Sequence, residues 1–220
     1  MKRLSLRLSL CIAIVLLAAP SAYVQAAQPD SVRTLFSSGT FSSGGFGGPV
    51  LKLTTMMDNT SLLVGGRGAW VINKTLAIGG GGYGLVTPRL LKAGATSDLD
   101  TNMNLGYGGG EIEVIFMSDD VIHVSAMTLI GAGAVSTNTR ARRFEDGEWD
   151  WDHSTISSDV FFVIEPQVNI EVNLTEWFRV AAGASYRFVN GVDTRVGTTT
   201  IGNSDLSGLS GVLTFKFGLY

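Results

Sequence analysis

Three groups of residues carry side chains suited to chemistry. The first is His123-Val124-Ser125. A histidine base beside a serine nucleophile, with a carboxylate to orient the ring, is what acyl transfer requires. The competing account makes His123 an interior residue paired with Glu111 or Glu113, and its place in the chain favours that account. The second group is Arg140–His153 (RARRFEDGEWDWDH). Glu148, Asp150 and Asp152, at two-residue spacing, offer oxygens to a divalent cation, but without the twelve-residue ligand arrangement that would make such a site strong. Arg140, Arg142 and Arg143 suit phosphates. Trp149 and Trp151 suit a headgroup layer or a protein partner. The simpler account is a solvated loop with internal ion pairs. The third group, Gly79–Gly84, matches G-x-G-x-x-G in form. A dinucleotide fingerprint must open a helix, and here Leu85-Val86-Thr87-Pro88 leads into a loop, so that function is excluded. Nothing in the chain calls for a cofactor.

The elements that must position these residues are strands, most legibly in Asp159–Phe188. Val160, Phe162, Ile164, Pro166, Val168, Ile170 and Val172 share one face; Asp159, Glu165, Gln167, Asn169 and Glu171 share the other, with Phe161 and Val163 as apolar exceptions. A second run sets Phe178, Val180, Ala182, Ala184, Tyr186 and Phe188 against Trp177, Arg179, Gly183, Ser185 and Arg187. Alternation of this kind gives a strand one apolar and one polar face. Both runs reach the ~9–11 residues that a tilted strand needs to cross a bilayer. The pair is expected to be a transmembrane hairpin.

Residues 1–26 are expected to be a secretory signal. Lys2, Arg3 and Arg7 precede the apolar run Leu8–Ala19, and Val24-Gln25-Ala26 ends in a cleavage-type sequence, with Ala27 as a rival site. The apolar run falls short of the ~20 residues of a spanning helix. The single cysteine, Cys11, lies in this segment, so the processed chain has no disulfide and no Cys-ligated metal. Loss of three basic residues takes the formal net charge from −3 to −6, which argues against nucleic acid as a partner. With 28 glycines, 5 prolines and no sustained 3.6-residue apolar period, the remainder is not helical.

Residues 27–44 are Ser/Gly-rich, either a periplasmic N-terminal segment or a further short strand. From 45 to 220 the chain resolves into eight strands, near 48–57, 62–71, 75–86, 105–117, 121–135, the two of the hairpin above, and 206–220. The glycine run leaves the facing of strand 75–86 ambiguous. Connections 87–103, 136–157 and 190–205 are long, and those between them are short; in the second, Asp146-Gly147 suits a hairpin tip that would extend the fifth and sixth strands beyond the membrane. Short turns at one end and long loops at the other, with an even strand count, are the pattern of outer-membrane barrels. A soluble barrel with the pattern inverted is the main competitor. Strand length, alternating loop length and two groups of aromatics favour the membrane. Trp70, Phe116, Phe178, Phe217 and Tyr220 would lie at the periplasmic interface, Tyr186 and Phe188 at the outer one. The fold class expected is all-β, an eight-stranded antiparallel transmembrane barrel with long extracellular loops and short periplasmic turns.

That orientation turns Lys52, Arg67, Glu111, Glu113, Asp159, Glu165, Glu171, Arg179, Arg187 and Lys216 into the lumen. Mixed signs there can pair, and eight strands enclose a space that side chains just fill. A packed polar interior is preferred to a narrow ion path.

The signal, the eight amphipathic strands and the ending Leu213-Thr-Phe-Lys-Phe-Gly-Leu-Tyr220 resemble small Gram-negative outer-membrane barrels of the OmpA/OmpX/OmpW kind. The resemblance implies insertion by the barrel-assembly machinery through the C-terminal strand, with Tyr220 as terminal aromatic. Phe215, Phe217 and Leu219 stand one residue out of phase with Tyr220, a departure from that family's pattern. It further implies outer-membrane lipid and lipopolysaccharide as surroundings. His123-Val124-Ser125 also resembles the His-x-Ser pair of outer-membrane lipid A deacylases, except that theirs lies at the extracellular end and faces lipid. The leading expectation is a non-enzymatic, porin-like, glycine-rich outer-membrane protein, structural or surface-interacting, with loop 136–157 toward a surface partner. A lipid-modifying enzyme using His123 and Ser125, and a narrow channel or carrier for a small molecule, are the alternatives.

Overall fold

The computed structural model describes residues 42–219 except 58, 88, 93–99, 146–147 and 197–198, with side chains undescribed in 89–102, 137–157 and 194–199. The signal 1–26, Asp146-Gly147 and Tyr220 therefore lie outside the described residues. The elements are β1 (Ser43–Met56), β2 (Asn59–Ile72), β3 (Leu76–Leu85), β4 (Arg89–Lys92), β5 (Asp100–Phe116), β6 (Ile122–Glu145), β7 (Glu148–Asn173), β8 (Phe178–Asn190), β9 (Asp193–Val196), β10 (Thr199–Gly202), α1 (Asn203–Leu206) and β11 (Gly208–Leu219). The first strand begins earlier than the sequence indicates, at Ser43.

Neighbours run β3-β2-β1-β11-β8-β7-β6-β5, and β3 pairs back with β5, so the sheet closes. All pairs are antiparallel. β4 continues the stave begun by β3, pairing with the start of β5. The result is an eight-stranded antiparallel barrel. Its stagger can be walked through the register: Gly44, Val71, Ala77, Glu113, Met127, Gln167, Ser185, Ser210 and back to β1 at Thr54. One circuit advances ten residues, from Gly44 to Thr54. Ten residues at ~3.3 Å against eight strands at ~4.8 Å set a tilt of about 40°, within the range for membrane barrels.

Alternation decides what faces where. Val168, Ile170, Ile112, Ile130, Val160 and Leu209 are all more than half exposed, while Lys52, Glu113, Glu171, Arg187 and Lys216 are fully buried. An apolar outer belt around an ionic lumen inverts the pattern of a water-soluble barrel, so the strands span a membrane. The glycine-rich strand takes the same sense, with Tyr83 buried and Ile78 exposed.

The turns follow from local conformation. Asn73 (φ 50°) and Lys74 (φ 57°) are both left-handed, and Thr75 N–H donates to Ile72 O at 3.1 Å, the type I′ geometry that matches strand twist. Lys74 Nζ also reaches Asp119 Oδ1 in the neighbouring turn at 2.7 Å, holding that exposed carboxyl below its usual range.

Two of the three long connections are more ordered than the sequence indicates. In the third, 136–157, β6 and β7 continue as the paired hairpin expected from Asp146-Gly147, 24 and 26 residues long by strand. The connection 190–205 folds into the β9–β10 hairpin and α1. Part of 87–103 is β4 and the beginning of β5.

Glycine permits close approach of β5 and β6. A Cβ on Gly109 would collide with Ile130 O and Gly131 Cα, and one on Gly131 with Gly108 O and Gly109 Cα. The obstacle is backbone, which no rotamer change relieves. Gly131→Val should therefore cost more than about 3 kcal/mol or prevent closure. Gly84→Ala, with open space at its Cβ, should be tolerated. Urea unfolding of the two refolded variants side by side checks this; equal stability would contradict it.

Candidate functional site

The lumen is the part of the molecule richest in chemistry. Toward the short-turn end, Arg67 Nε bonds Glu111 Oε2 at 2.7 Å and its Nη2 bonds Glu113 Oε2 at 3.1 Å. Lys216 Nζ bridges Glu113 Oε1 (2.9 Å) and Glu171 Oε1 (2.5 Å). Ser125 Oγ lies 2.7 Å from Glu113 Oε1 and 2.6 Å from Glu171 Oε1, and its one proton serves either carboxylate in turn; Asn169 Nδ2 donates to it at 3.1 Å. Higher in the barrel, Glu165 accepts from Lys52 Nζ (2.9 Å), Ser185 Oγ (2.5 Å) and Tyr107 O–H (2.7 Å). Tyr83 O–H donates to Glu111 Oε1 at 2.8 Å, and Lys52 Nζ sits 3.6 Å over the Tyr83 ring. Arg187 Nε donates to Leu206 O at 2.8 Å.

Of the ten charged residues that the sequence turns inward, nine are buried here, Arg179 being 6% exposed and the rest less, while Asp159 is half-buried and accepts from Asp193 N–H at 3.2 Å. Ion pairs join Lys52, Arg67 and Lys216 to the four glutamates. Tyr83 and Tyr107 are partners the sequence argument missed. Tyr107 shares parity with Glu111 and Glu113, a signal that was present, whereas Tyr83 was hidden in the glycine run.

His123 and Ser125 are 2% and 1% exposed, inside the barrel near the short turns. His123 pairs with neither Glu111 nor Glu113. Its Nδ1 lies 3.2 Å from Asp120 O, and its Nε2 is 3.4 Å from Glu171 Oε2, an ion-pair distance with poor hydrogen-bond alignment. The hydroxyl partners of Ser125 are Glu113, Glu171 and Asn169, so a carboxylate separates histidine from serine. That order is wrong for a base-activated nucleophile.

Above this network the loop end is stoppered by apolar side chains. Ile201 and Leu206 are fully buried and pack in one cluster with Val192, Val189, Phe161, Val163 and Leu63. The cap is tied down by Met57 N–H to Asp205 O (3.1 Å), Val192 N–H to Asn203 Oδ1 (2.8 Å) and Val189 N–H to Ser207 Oγ (3.0 Å).

The outer surface carries the aromatics. Trp70, Phe116 and Phe217 are exposed near the short turns, and Phe217 stacks with Phe178 at 4.8 Å and with Trp177 at 6.2 Å. Tyr186 and Phe188 pack together at 4.5 Å toward the loop end of β8.

The chain resembles small outer-membrane β-barrel proteins. Neisserial surface protein A is 11% identical over 82% of this chain and 99% of that one, with a TM-score of 0.48. Ail, the attachment invasion locus protein of Yersinia pestis, is 12% identical over 80% and 97% of the two chains, with a TM-score of 0.46. The N-terminal β-barrel domain of Pseudomonas aeruginosa OprF is 10% identical over 80% and 97%, with a TM-score of 0.42. No family profile matches the sequence, and no curated protein is significantly similar to it.

The projecting hairpin adds a second site. The register shifts between Thr137 and Asn138: Thr137 pairs with Ser157 and Asn138 with Thr155, leaving Ile156 as a bulge. Odd-numbered residues of both strands form the lumen row below it. Above it the parity of β7 is reversed relative to β6. The row continuing the outer face then pairs Arg140 with His153, Arg142 with Trp151 and Phe144 with Trp149. The other row pairs Ala141 with Asp152, Arg143 with Asp150 and Glu145 with Glu148. In register, Arg140 and Arg142 thus fall on one row and Arg143 on the other. Glu148, Asp150 and Asp152 share that row, and their side chains lie outside the described residues.

Proposed function

We propose that this is a non-enzymatic outer-membrane protein of a Gram-negative bacterium whose β6–β7 hairpin is an extracellular interaction surface for the anionic saccharide of lipopolysaccharide. One observation carries the proposal: the bulge at Ile156 sorts the hairpin into a basic–aromatic row without carboxylates and an acidic row. Guanidinium forks suit phosphate and carboxylate groups, and indole faces suit sugar rings. The basic–aromatic row continues the lipid side of the barrel. Arg140 is six residues beyond Ala134, the last apolar residue of the outward row of β6 below the bulge. At ~3.3 Å per residue and a tilt of about 40°, that places it roughly 15 Å above the apolar belt, past the acyl chains and level with a sugar layer.

The burial of His123 and Ser125, away from lipid, supports a non-enzymatic role over a lipid-modifying one. The buried ion pairs of the lumen and its apolar stopper support a packed interior over a channel.

A Gly147→Cys variant should react with an impermeant maleimide on intact cells, because the only native cysteine is Cys11. Arg140→Glu combined with Arg142→Glu should weaken binding of purified protein to lipopolysaccharide at least tenfold, while Glu145→Gln leaves it unchanged. Equal binding by the wild type and these two variants would remove the assigned partner; failure of the Gly147→Cys variant to label would remove the surface placement.

A further inference from the structure

We propose that the upper lumen holds a small inorganic anion between Arg187 and Ser210, beneath the α1 cap. Arg187 is fully buried; its Nε is bonded to Leu206 O and its Cζ lies 5.4 Å from the centre of the Tyr107 ring, while its Nη1 and Nη2 have no hydrogen-bond partner of good geometry among the described residues. A guanidinium cannot shed its charge inside a protein, so its burial calls for a counter-charge.

The carboxylate nearest in register does not supply it. Arg187 stands across β7–β8 from Glu165, two residues along from the Gln167–Ser185 pair. Glu165 is already taken by Lys52, Ser185 and Tyr107. Among the described residues, this level of the lumen thus holds two cations, Lys52 and Arg187, and one carboxylate. The other three glutamates lie toward the short turns, engaged by Arg67 and Lys216.

A second donor comes from β11. The residue paired with Arg187 there is Gly208, which brings no side chain to the lumen, and a Cβ on it would meet Thr55 O at 2.8 Å, so any room beside the guanidinium is small. The next inward residue is Ser210, 1% exposed, with an Oγ that has no partner among the described residues either. Diagonal neighbours in an antiparallel pair are within reach of a side chain as long as arginine. A guanidinium fork and a hydroxyl on neighbouring strands, both buried, make a donor set without an acceptor, which is what an anion binds. Leu206 and Ile201 close the site from the loop end, and the packed lumen limits the ligand to the size of a halide or a small oxyanion. By its tie to Leu206 O, Arg187 also links the anion to the cap.

Chloride is the probe. The refolded full chain in zwitterionic detergent should unfold at higher urea as chloride replaces gluconate at fixed ionic strength. Above the dissociation constant, each tenfold rise in chloride should lower the unfolding equilibrium constant about tenfold. Arg187→Gln should abolish the dependence and Ser210→Ala should weaken it. An indifferent wild type, or a response shared by wild type and Arg187→Gln, overturns the proposal. If Arg187→Gln does not fold, bromide-soaked crystals of the wild type decide: anomalous density within hydrogen-bond distance of Arg187 Nη supports it, and its absence there refutes it. Both readouts concern the lumen and are separate from the hairpin.

Discussion

Val168→Arg should destabilise the barrel in phospholipid vesicles by about 2–4 kcal/mol, the cost of a cationic side chain at the midplane of a membrane barrel. Val168 lies near the middle of the outward row of β7 and is 61% exposed. Its cross-strand neighbours are Ala126 and Ala184, so a larger side chain meets no steric obstacle. Only the medium can object. In water, an arginine at so exposed a position would change stability by less than about 0.5 kcal/mol. Thr175→Arg, in the exposed turn between β7 and β8, is the control and should be near neutral. Urea unfolding in vesicles, with heat-modifiable gel migration as a check on folding, measures both. A neutral Val168→Arg would mean that the apolar belt does not face lipid.

The barrel was legible in the sequence because its surfaces have period two and opposite chemistry. In β7, Glu165, Gln167, Asn169 and Glu171 alternate with Ile164, Val168 and Ile170, so one residue of slip would put carboxylates in lipid. That penalty fixes register as well as strand identity. The hairpin beyond residue 137 was legible in its Asp146-Gly147 tip, but the facing of its residues was not, since Arg, Asp, Glu and Trp alternate there with no apolar face to set a phase. Its two rows emerge only through the bulge at Ile156, which no residue type announces. The cap was hidden for another reason. Val192 and Ile201 are isolated apolar residues in a polar connection, where single ones carry no period, and Leu206 reads as the start of the last strand although it ends α1. The lumen pairings fell between. Parity placed the charges inside, but which cation meets which carboxylate depends on the ten-residue stagger, and that is a property of the closed sheet.

Lys216→Met should be the most damaging change among the lumen charges, costing about 3–5 kcal/mol. The ammonium bridges Glu113 and Glu171, all three fully buried, and the substitution leaves two carboxylates facing each other without their shared cation. Ser125 cannot compensate, because it has one proton for both. Charge rather than shape is at issue, since methionine occupies nearly the same volume as lysine. Adding Glu171→Gln to Lys216→Met should therefore recover a large part of the loss, a coupling expected only of groups in direct contact. Unfolding midpoints of the wild type, the single variants and the double variant give that coupling. A cost below about 1 kcal/mol for Lys216→Met would mean that water screens the lumen. A wet lumen would favour the narrow-channel alternative, and planar-bilayer conductance of the wild type would then be the next measurement.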